Sequence, residues 1–356
     1  MPETVGLVEP FDLYSGETAS SPGLFGSWNQ EGSGGVAAQV ALVEGLNGHG
    51  LALSVNSTNS GKAMRRNIPA RTQFSWAFAI QWTFIPNVAH KELFMWNDIN
   101  NSHQFGLAIT PAGTFRLIGE NSATIATGNI AMTPGQKYRV TFKVDLTTPG
   151  DNSFSLKISG EEDTGLTVTG VDLLDSATEI EVAMFKLDFP SDDVGANFWA
   201  YVIDDIFDVY DAQPDLPELE LFCEAIAAET ADKDWTPSTG TNNAEMIDEV
   251  IPDSDTTYNS SDTVGAKDMF TLAAYSRVPE SIYALSLATF ARKEESATRT
   301  LRSIFRPDVT EYPGADYNLQ ESYDWDWNHA LENPETAAPW VAADHDALEV
   351  GYELRV

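Results

Sequence analysis

Residues 74–84 read Phe-Ser-Trp-Ala-Phe-Ala-Ile-Gln-Trp-Thr-Phe. Phe74, Trp76, Phe78, Ile80, Trp82 and Phe84 hold every even position, with Ser75, Ala77, Ala79, Gln81 and Thr83 between them. Successive side chains of an extended chain point to opposite faces, so this spacing loads one face with large apolar groups and leaves the other light. A helix would scatter the same aromatics around its axis, and a membrane-spanning helix needs roughly 20 nearly unbroken apolar residues. The stretch predicts the central strand of a β-sandwich.

The period of two recurs in Tyr138, Val140, Phe142 and Val144, in Phe154, Leu156 and Ile158, and in Tyr201, Ile203, Phe207 and Val209, where Asp205 interrupts the series. At the far end Leu348, Val350, Tyr352, Leu354 and Val356 alternate with Glu349, Gly351, Glu353 and Arg355, as in a strand with one wet face. Between such runs stand Pro111-Ala112-Gly113, Thr133-Pro134-Gly135 and Thr148-Pro149-Gly150-Asp151, which stop one strand and let the chain reverse. The chain is therefore all-β, with antiparallel connections. Its 356 residues are too many for one ordinary core. The stretch Ala212-Gln213-Pro214-Asp215-Leu216-Pro217-Glu218 disfavours both a helix and an interior strand. We expect two tandem antiparallel β-sandwiches: residues 1–211, a linker at 212–221, and a smaller sandwich at 222–356.

A formal charge of −34 argues against nucleic acid and anionic membrane surfaces as partners, since both would be repelled. From residue 212 onward there are 29 acidic and 9 basic side chains, against 25 and 11 before it, so the second part is the more acidic per residue. Such an excess gives solubility in a salty medium or supplies divalent-cation sites at contacts. Cys223 is the only cysteine, which leaves no intrachain disulfide to hold the fold. Met1-Pro2-Glu3-Thr4-Val5 has neither the basic start nor the apolar stretch of a secretion signal, and no later segment has the length and apolarity of a membrane helix. The expectation is a soluble chain made in a reducing cytosol and released by lysis.

Catalytic motifs are sparse. No Gly-x-Ser-x-Gly elbow occurs, and Asn59-Ser60-Gly61-Lys62-Ala63 lacks the earlier glycine and the following Ser or Thr of a phosphate loop. His49, His90, His103, His329 and His345 have no zinc-like spacing. Glu179-Ile180-Glu181 on a strand would place two carboxylates on one face at roughly 6 to 7 Å, a spacing a glycosidase pair can use; a solvated outer face explains them as well. Asp253-Ser254-Asp255-Thr256-Thr257-Tyr258 starts like a calcium loop but has no glycine at its sixth position and no glutamate at its twelfth. Asp204 and Asp205 are the candidate metal ligands, for calcium, unless they simply punctuate an edge strand. Tyr323, Trp325 and Trp327 alternate with Asp324 and Asp326, making an aromatic row backed by an acidic row. Aromatic rows stack on sugars, and they also build cores and subunit interfaces. Arg299, Arg302 and Arg306 are read as surface ion-pair partners for the surrounding acids. These residues require no cofactor and point to no enzyme.

Phe11-Asp12-Leu13-Tyr14, Trp28, Gly61-Lys62-Ala63-Met64-Arg65-Arg66 and the run from Tyr201 to Asp211 resemble the concanavalin A-like, laminin G-like jelly rolls encoded by tailed bacteriophages. Asp234-Trp235-Thr236-Pro237-Ser238-Thr239-Gly240, Met246-Ile247-Asp248-Glu249, Lys267-Asp268, Ala291-Arg292-Lys293, and Asn333-Pro334 with Thr336 and Trp340 resemble a module of phage virion proteins. The resemblance implies a non-enzymatic structural protein on the exterior of a tailed phage particle, assembled in the host cytoplasm. Its implied place is the tail or tail fibre, in contact with other virion proteins and a host-surface glycan, as a homo-oligomer such as a trimer. The alternative is a head decoration or cement protein. A polysaccharide-cleaving enzyme using Glu179 and Glu181 ranks behind both, and no catalytic residues come with the resemblance.

Overall fold

A computed structural model describes residues 4–9, 29–31, 40–44, 51–56, 62–82, 91–98, 100, 102–174, 177–187, 200–212, 214–221, 223–249, 252–275 and 278–356. Phe84, Phe11 to Tyr14 and Trp28 lie outside them. The chain divides into two compact units, Met1–Phe222 and Cys223–Val356, each built from antiparallel β-sheet.

In the first unit the strand Gln73–Trp82 is central, flanked by Lys137–Asp145 and Ala200–Tyr210. Phe74, Trp76, Phe78, Ile80 and Trp82 are all buried, as the period of two demands. They face the second sheet of the unit, whose spine is Lys91–Asn97 between His103–Ile109 and Ile180–Leu187. Trp76 meets Phe94 edge-on at 5.0 Å and Trp96 at 6.3 Å, and Trp96 stacks on Phe105 at 4.9 Å. These contacts join the two sheets into a β-sandwich. Aromatic pairs in such geometries add about 0.5–1.5 kcal/mol each beyond their buried area.

One strand departs from the simple alternation. Tyr201 pairs with Trp82 and Ile203 with Ile80, so both face the interior, but the register slips between Asp204 and Phe207. Beyond the slip Phe207 pairs with Ala77 and Val209 with Ser75, on the opposite face, while Asp208 pairs with Trp76 and points inward. The cause is a β-bulge: Asp205 sits at φ +53°, a left-handed conformation more common for glycine, and one extra residue exchanges the two faces of everything that follows. Residues 214–221, within the expected linker, run along this outer face. The Ser75 hydroxyl donates to the Pro214 carbonyl at 2.8 Å, Asp215 pairs with Lys143 and Lys157, Leu216 is buried, and the Leu221 amide donates to Asp205.

The second unit centres on a sheet in the order Ile226–Lys233, Lys267–Leu272, Glu349–Leu354, Thr300–Arg306, Tyr312–Pro313, with Tyr317–Asn318 also beside Thr300–Arg306. On its apolar face Phe305, Trp340, Leu348 and Val350 form the core, and Leu285, Leu287 and Ala330 of a two-stranded ribbon pack over them. On its other face charges pair across strands: Arg302 with Glu353, and Arg306 with Glu349, Asp232 and Glu311.

Candidate functional site

The ribbon consists of Leu285–Ala291 and Asp324–Ala330. Its register pairs Leu285 with Ala330 and Leu287 with Asn328, on the side that covers the core. Residues one step along point the other way. Ser286 pairs with His329, Ala288 with Trp327 and Phe290 with Trp325, so these six side chains share the face turned from the core. The sequence places an aromatic row on this strand, and the structure adds Phe290 and His329 to it and turns the row outward.

Along that face the rings form a ladder in two parts. Tyr323 and Phe290 stack at 4.8 Å with planes 14° apart, and Phe290 and Trp325 lie 4.7 Å apart. The first pair stacks face to face, whereas Trp325 is tilted 37° against Phe290. The Arg292 guanidinium lies over the Tyr323 ring, 5.1 Å from its centre, and is itself held by Asp255 and Glu294. From Trp325 onward the rings stand farther apart: Trp325 to Trp327 is 6.0 Å and Trp327 to His329 is 6.1 Å. Here the neighbouring strand contributes only Ala288 and Ser286, and the Ser286 hydroxyl meets His329 Nδ1 at 2.8 Å. The ladder's rings, Ser286, Ala288 and Arg292 are half-buried, and Asp255 and Glu294 are exposed.

The acidic row occupies the opposite face. Asp324 accepts a 2.7 Å hydrogen bond from the Tyr317 hydroxyl, whose titration is pushed far up by burial and by that carboxylate. Burial, aided by neighbouring Asp324, also lifts the Asp326 carboxyl above the usual range. The single Tyr323 hydroxyl proton is shared between Asp255 at 3.0 Å and the Ser254 carbonyl at 3.1 Å, which fixes this end of the ladder to the loop that began like a calcium site. In that loop Asp253 accepts from the Thr257 amide and hydroxyl, a local turn.

Asp204 and Asp205 are both buried. Asp205 holds the Arg139 guanidinium and accepts the Leu221 amide, and Asp204 accepts the Asp205 amide. The carboxylate proposed for calcium thus already carries an internal cation. Among the described residues no three His, Cys, Asp or Glu side chains stand together as a metal site. Glu179 lies in a bend before the strand Ile180–Leu187, and the register of that strand slips between Ile180 and Val182 against its neighbour, so the two glutamates do not belong to one regular strand face. Arg299 pairs with Glu295, and Arg302 and Arg306 take the cross-strand acids named above.

A second polar surface escaped the sequence reading. On the outer face of the sheet containing Lys91–Asn97, Glu92 pairs with Ala108, which pairs with Arg116, and nearby Asn97 and Gln104 are buried. Glu92 receives the Ser122 hydroxyl. The only sequence signal was a polar residue at one phase of each apolar alternation, which also fits an ordinary wet face.

No family model matches the chain, and no curated protein matches it. Solved structures do. A sialidase aligns over 58% of this chain at 18% identity and a TM-score of 0.40, and this chain covers only 18% of that protein's length. An endo-β-1,4-glucuronan lyase from the fungus Trichoderma reesei aligns over 50% of this chain and 91% of its own, at 11% identity and a TM-score of 0.38. Alginate lyase vAL-1 from Chlorella virus aligns over 58% of this chain and 100% of its own, at 9% identity and a TM-score of 0.42. At such scores the likeness assigns no residue, substrate or reaction to this chain. Two expectations are corrected by this finding. The structures it resembles are two polysaccharide lyases and a sialidase, all enzymes, so neither the non-enzymatic structural role on tail or capsid nor the exclusion of enzymatic activity stands.

Proposed function

We propose that the chain binds carbohydrate through the more widely spaced half of the aromatic ladder, Trp325, Trp327 and His329, with Ser286 beside them. The observation that carries the reading is the direction of the row: these rings stand on the ribbon face turned from the core, although core burial would have been the ordinary use of two tryptophans. Pyranose rings present apolar C–H faces and a rim of hydroxyls. An indole offers a flat apolar surface with one N–H donor, and Ser286 and His329 add hydrogen-bonding groups at the same height. The other end of the ladder is clamped by Arg292 and the Asp255 loop, which helps to hold the rings in place before a ligand arrives.

Affinity electrophoresis tests the reading. The native protein is expected to be retarded in gels containing a soluble polysaccharide that it recognises, and a Trp325→Ala, Trp327→Ala double variant to run as in the polymer-free gel. Equal retardation of both proteins would remove the ladder from binding.

A further inference from the structure

We infer that the turn at residues 253–257 is an electrostatic latch on one end of the aromatic ladder, and that closing or opening it regulates carbohydrate binding. The inference rests on the carbohydrate reading above and adds a control to it. Asp255 is a positioning residue, acting on the rings through Tyr323 and Arg292.

The turn reads Asp-Ser-Asp-Thr-Thr. Asp253 shapes it: its carboxylate accepts the Thr257 amide at 2.9 Å and its carbonyl accepts the Thr256 amide. Ser254 adopts φ +61°, a left-handed conformation unfavourable for serine, and with it the Ser254 carbonyl and the Asp255 carboxylate both reach the Tyr323 hydroxyl. One oxygen of Asp255, Oδ1, receives Tyr323 and Arg292 alike, each at 3.0 Å. Since Arg292 lies over the Tyr323 ring, a single carboxylate holds ring and cation together. The ring passes the constraint along the ladder, stacking on Phe290 at 4.8 Å, which lies 4.7 Å from Trp325. Just beyond the turn the chain has a fixed base: the Ser238 amide donates to the Tyr258 carbonyl at 2.8 Å, and the Tyr258 amide to the Ser238 hydroxyl at 3.1 Å.

The contacts that close the latch are hydrogen bonds and an ion pair. The turn has no large apolar side chain with which to bury surface, and residues 253–256 are exposed. Exposed polar contacts are individually weak because water competes for both partners. Opening also leaves little stranded: Arg292 keeps Glu294 at 3.0 Å, and the Asp255 carboxylate, already 66% exposed, turns to water. A small change in the ion pair therefore shifts the balance between the two states. Salt is such a change, since it screens Arg292 from Asp255. Residues 223–356 carry 26 acidic against 9 basic side chains, so across the rest of this unit salt chiefly relieves repulsion. Loosening by salt is thus a signature of the latch and not of the fold. With the latch open, Tyr323 and Arg292 regain rotamer freedom, and a ligand must order that end of the ladder as it binds, at a cost in affinity.

The test has two arms, both on the full chain at low and at high salt. The first needs no sugar: fluorine NMR of fluorotyrosine-labelled protein, with the Tyr323 resonance assigned by Tyr323→Phe. Salt is expected to move that resonance toward its position in Asp255→Ala, and to leave it where it stands in the variant. The second arm measures affinity for galactomannan, xyloglucan and mixed-linkage β-glucan, whose lack of charge removes any direct effect of salt on the contact. Binding to at least one is expected to weaken about threefold in high salt and by as much in Asp255→Ala at low salt, with the variant indifferent to salt. Asp255→Asn keeps an acceptor for Tyr323 without the charge for Arg292, and is expected to fall between them. Unfolding midpoints of both variants are expected to stay near that of the native protein, since Asp255 is largely exposed. A Tyr323 resonance that salt leaves unmoved would overturn the latch. Binding abolished in Trp327→Ala but unchanged by salt and by Asp255→Ala would keep the carbohydrate reading and overturn the regulation. Binding to none of the three polymers, with the resonance responding to salt, would overturn the carbohydrate reading and the regulation with it.

Discussion

Arg71 and Asp208 form an ion pair in the first sandwich from which water is excluded, neither side chain having any exposed surface. The bulge at Asp205 turns Asp208 inward, and Arg71 arrives from the opposite sheet at the end of its strand Lys62–Arg71. Its guanidinium lies 4.7 Å from the ring centre of Tyr210 and 5.9 Å from that of Phe74, and Arg71 Nε donates to the Pro69 carbonyl. The pair therefore ties the two sheets together at a point where the sequence alternation alone called for an apolar side chain. Removing one partner strands the other charge, so Asp208→Ala is expected to cost about 3–5 kcal/mol. A double replacement, Arg71→Met with Asp208→Leu, is expected to recover most of that loss. Urea unfolding of the three proteins checks both statements, and a double variant as unstable as the single would refute them.

Gly351 lies mid-strand in the second unit, where a Cβ would fall 2.0 Å from the Asp268 carbonyl oxygen and 2.6 Å from the Met269 sulfur. Backbone cannot yield as a flexible side chain can. Gly351→Ala is expected to destabilise by roughly 1–3 kcal/mol or more, although alanine is ordinarily no worse than glycine in a strand. Thermal unfolding measures it; an unchanged midpoint would mean that the sheet relaxes around the methyl group.

Asp268 is fully buried and anchors a long loop: one carboxylate oxygen accepts the Trp235 amide at 2.9 Å, the other the Asn243 side-chain amide at 2.7 Å. Asn243 in turn donates to the Trp235 carbonyl. Asp268→Ala leaves these donors unpaired at about 1–3 kcal/mol each. Hydrogen exchange is expected to quicken at Trp235 and residues 243–247 while the ribbon keeps its protection. Uniform protection throughout would contradict the anchoring role.

The Asp326 carboxyl is raised by burial, with Asp324 adding to the effect. A carboxyl whose folded value lies above its unfolded value is a liability once ionised. The penalty is full above the folded pKa and absent below the unfolded one. Asp326→Asn is expected to stabilise the protein near neutral pH, with the gain shrinking as pH falls through the carboxylate range. Unfolding midpoints across that range report it, and a gain that grew on acidification would reverse the assignment.

Much of the architecture was legible because its elements are periodic. The even-position aromatics of 74–82 and the closing alternation of 348–354 mark faces that burial requires, and both strands form. The exchange of faces after Asp205 was not legible, since a bulge needs one extra residue and leaves the hydrophobic count unchanged. For the site, the alternation of Tyr323, Trp325 and Trp327 showed that the three share a face, but not which way it points. That depends on pairing with Leu285–Ala291, more than thirty residues away in the chain, whose leucines claim the core side. The motifs around Asp234-Trp235 and Lys267-Asp268 prove to be parts of a hydrogen-bonded anchor.

The central claim is that Trp327 contacts sugar. The most direct measurement is calorimetric titration of the full chain and of Trp327→Ala with an oligosaccharide of the recognised polymer, alongside their unfolding midpoints. We expect a loss of at least about 1.4 kcal/mol in binding, a tenfold change, with little change in stability because the ring lies outside the core. Unchanged affinity in a folded Trp327→Ala protein would contradict the account.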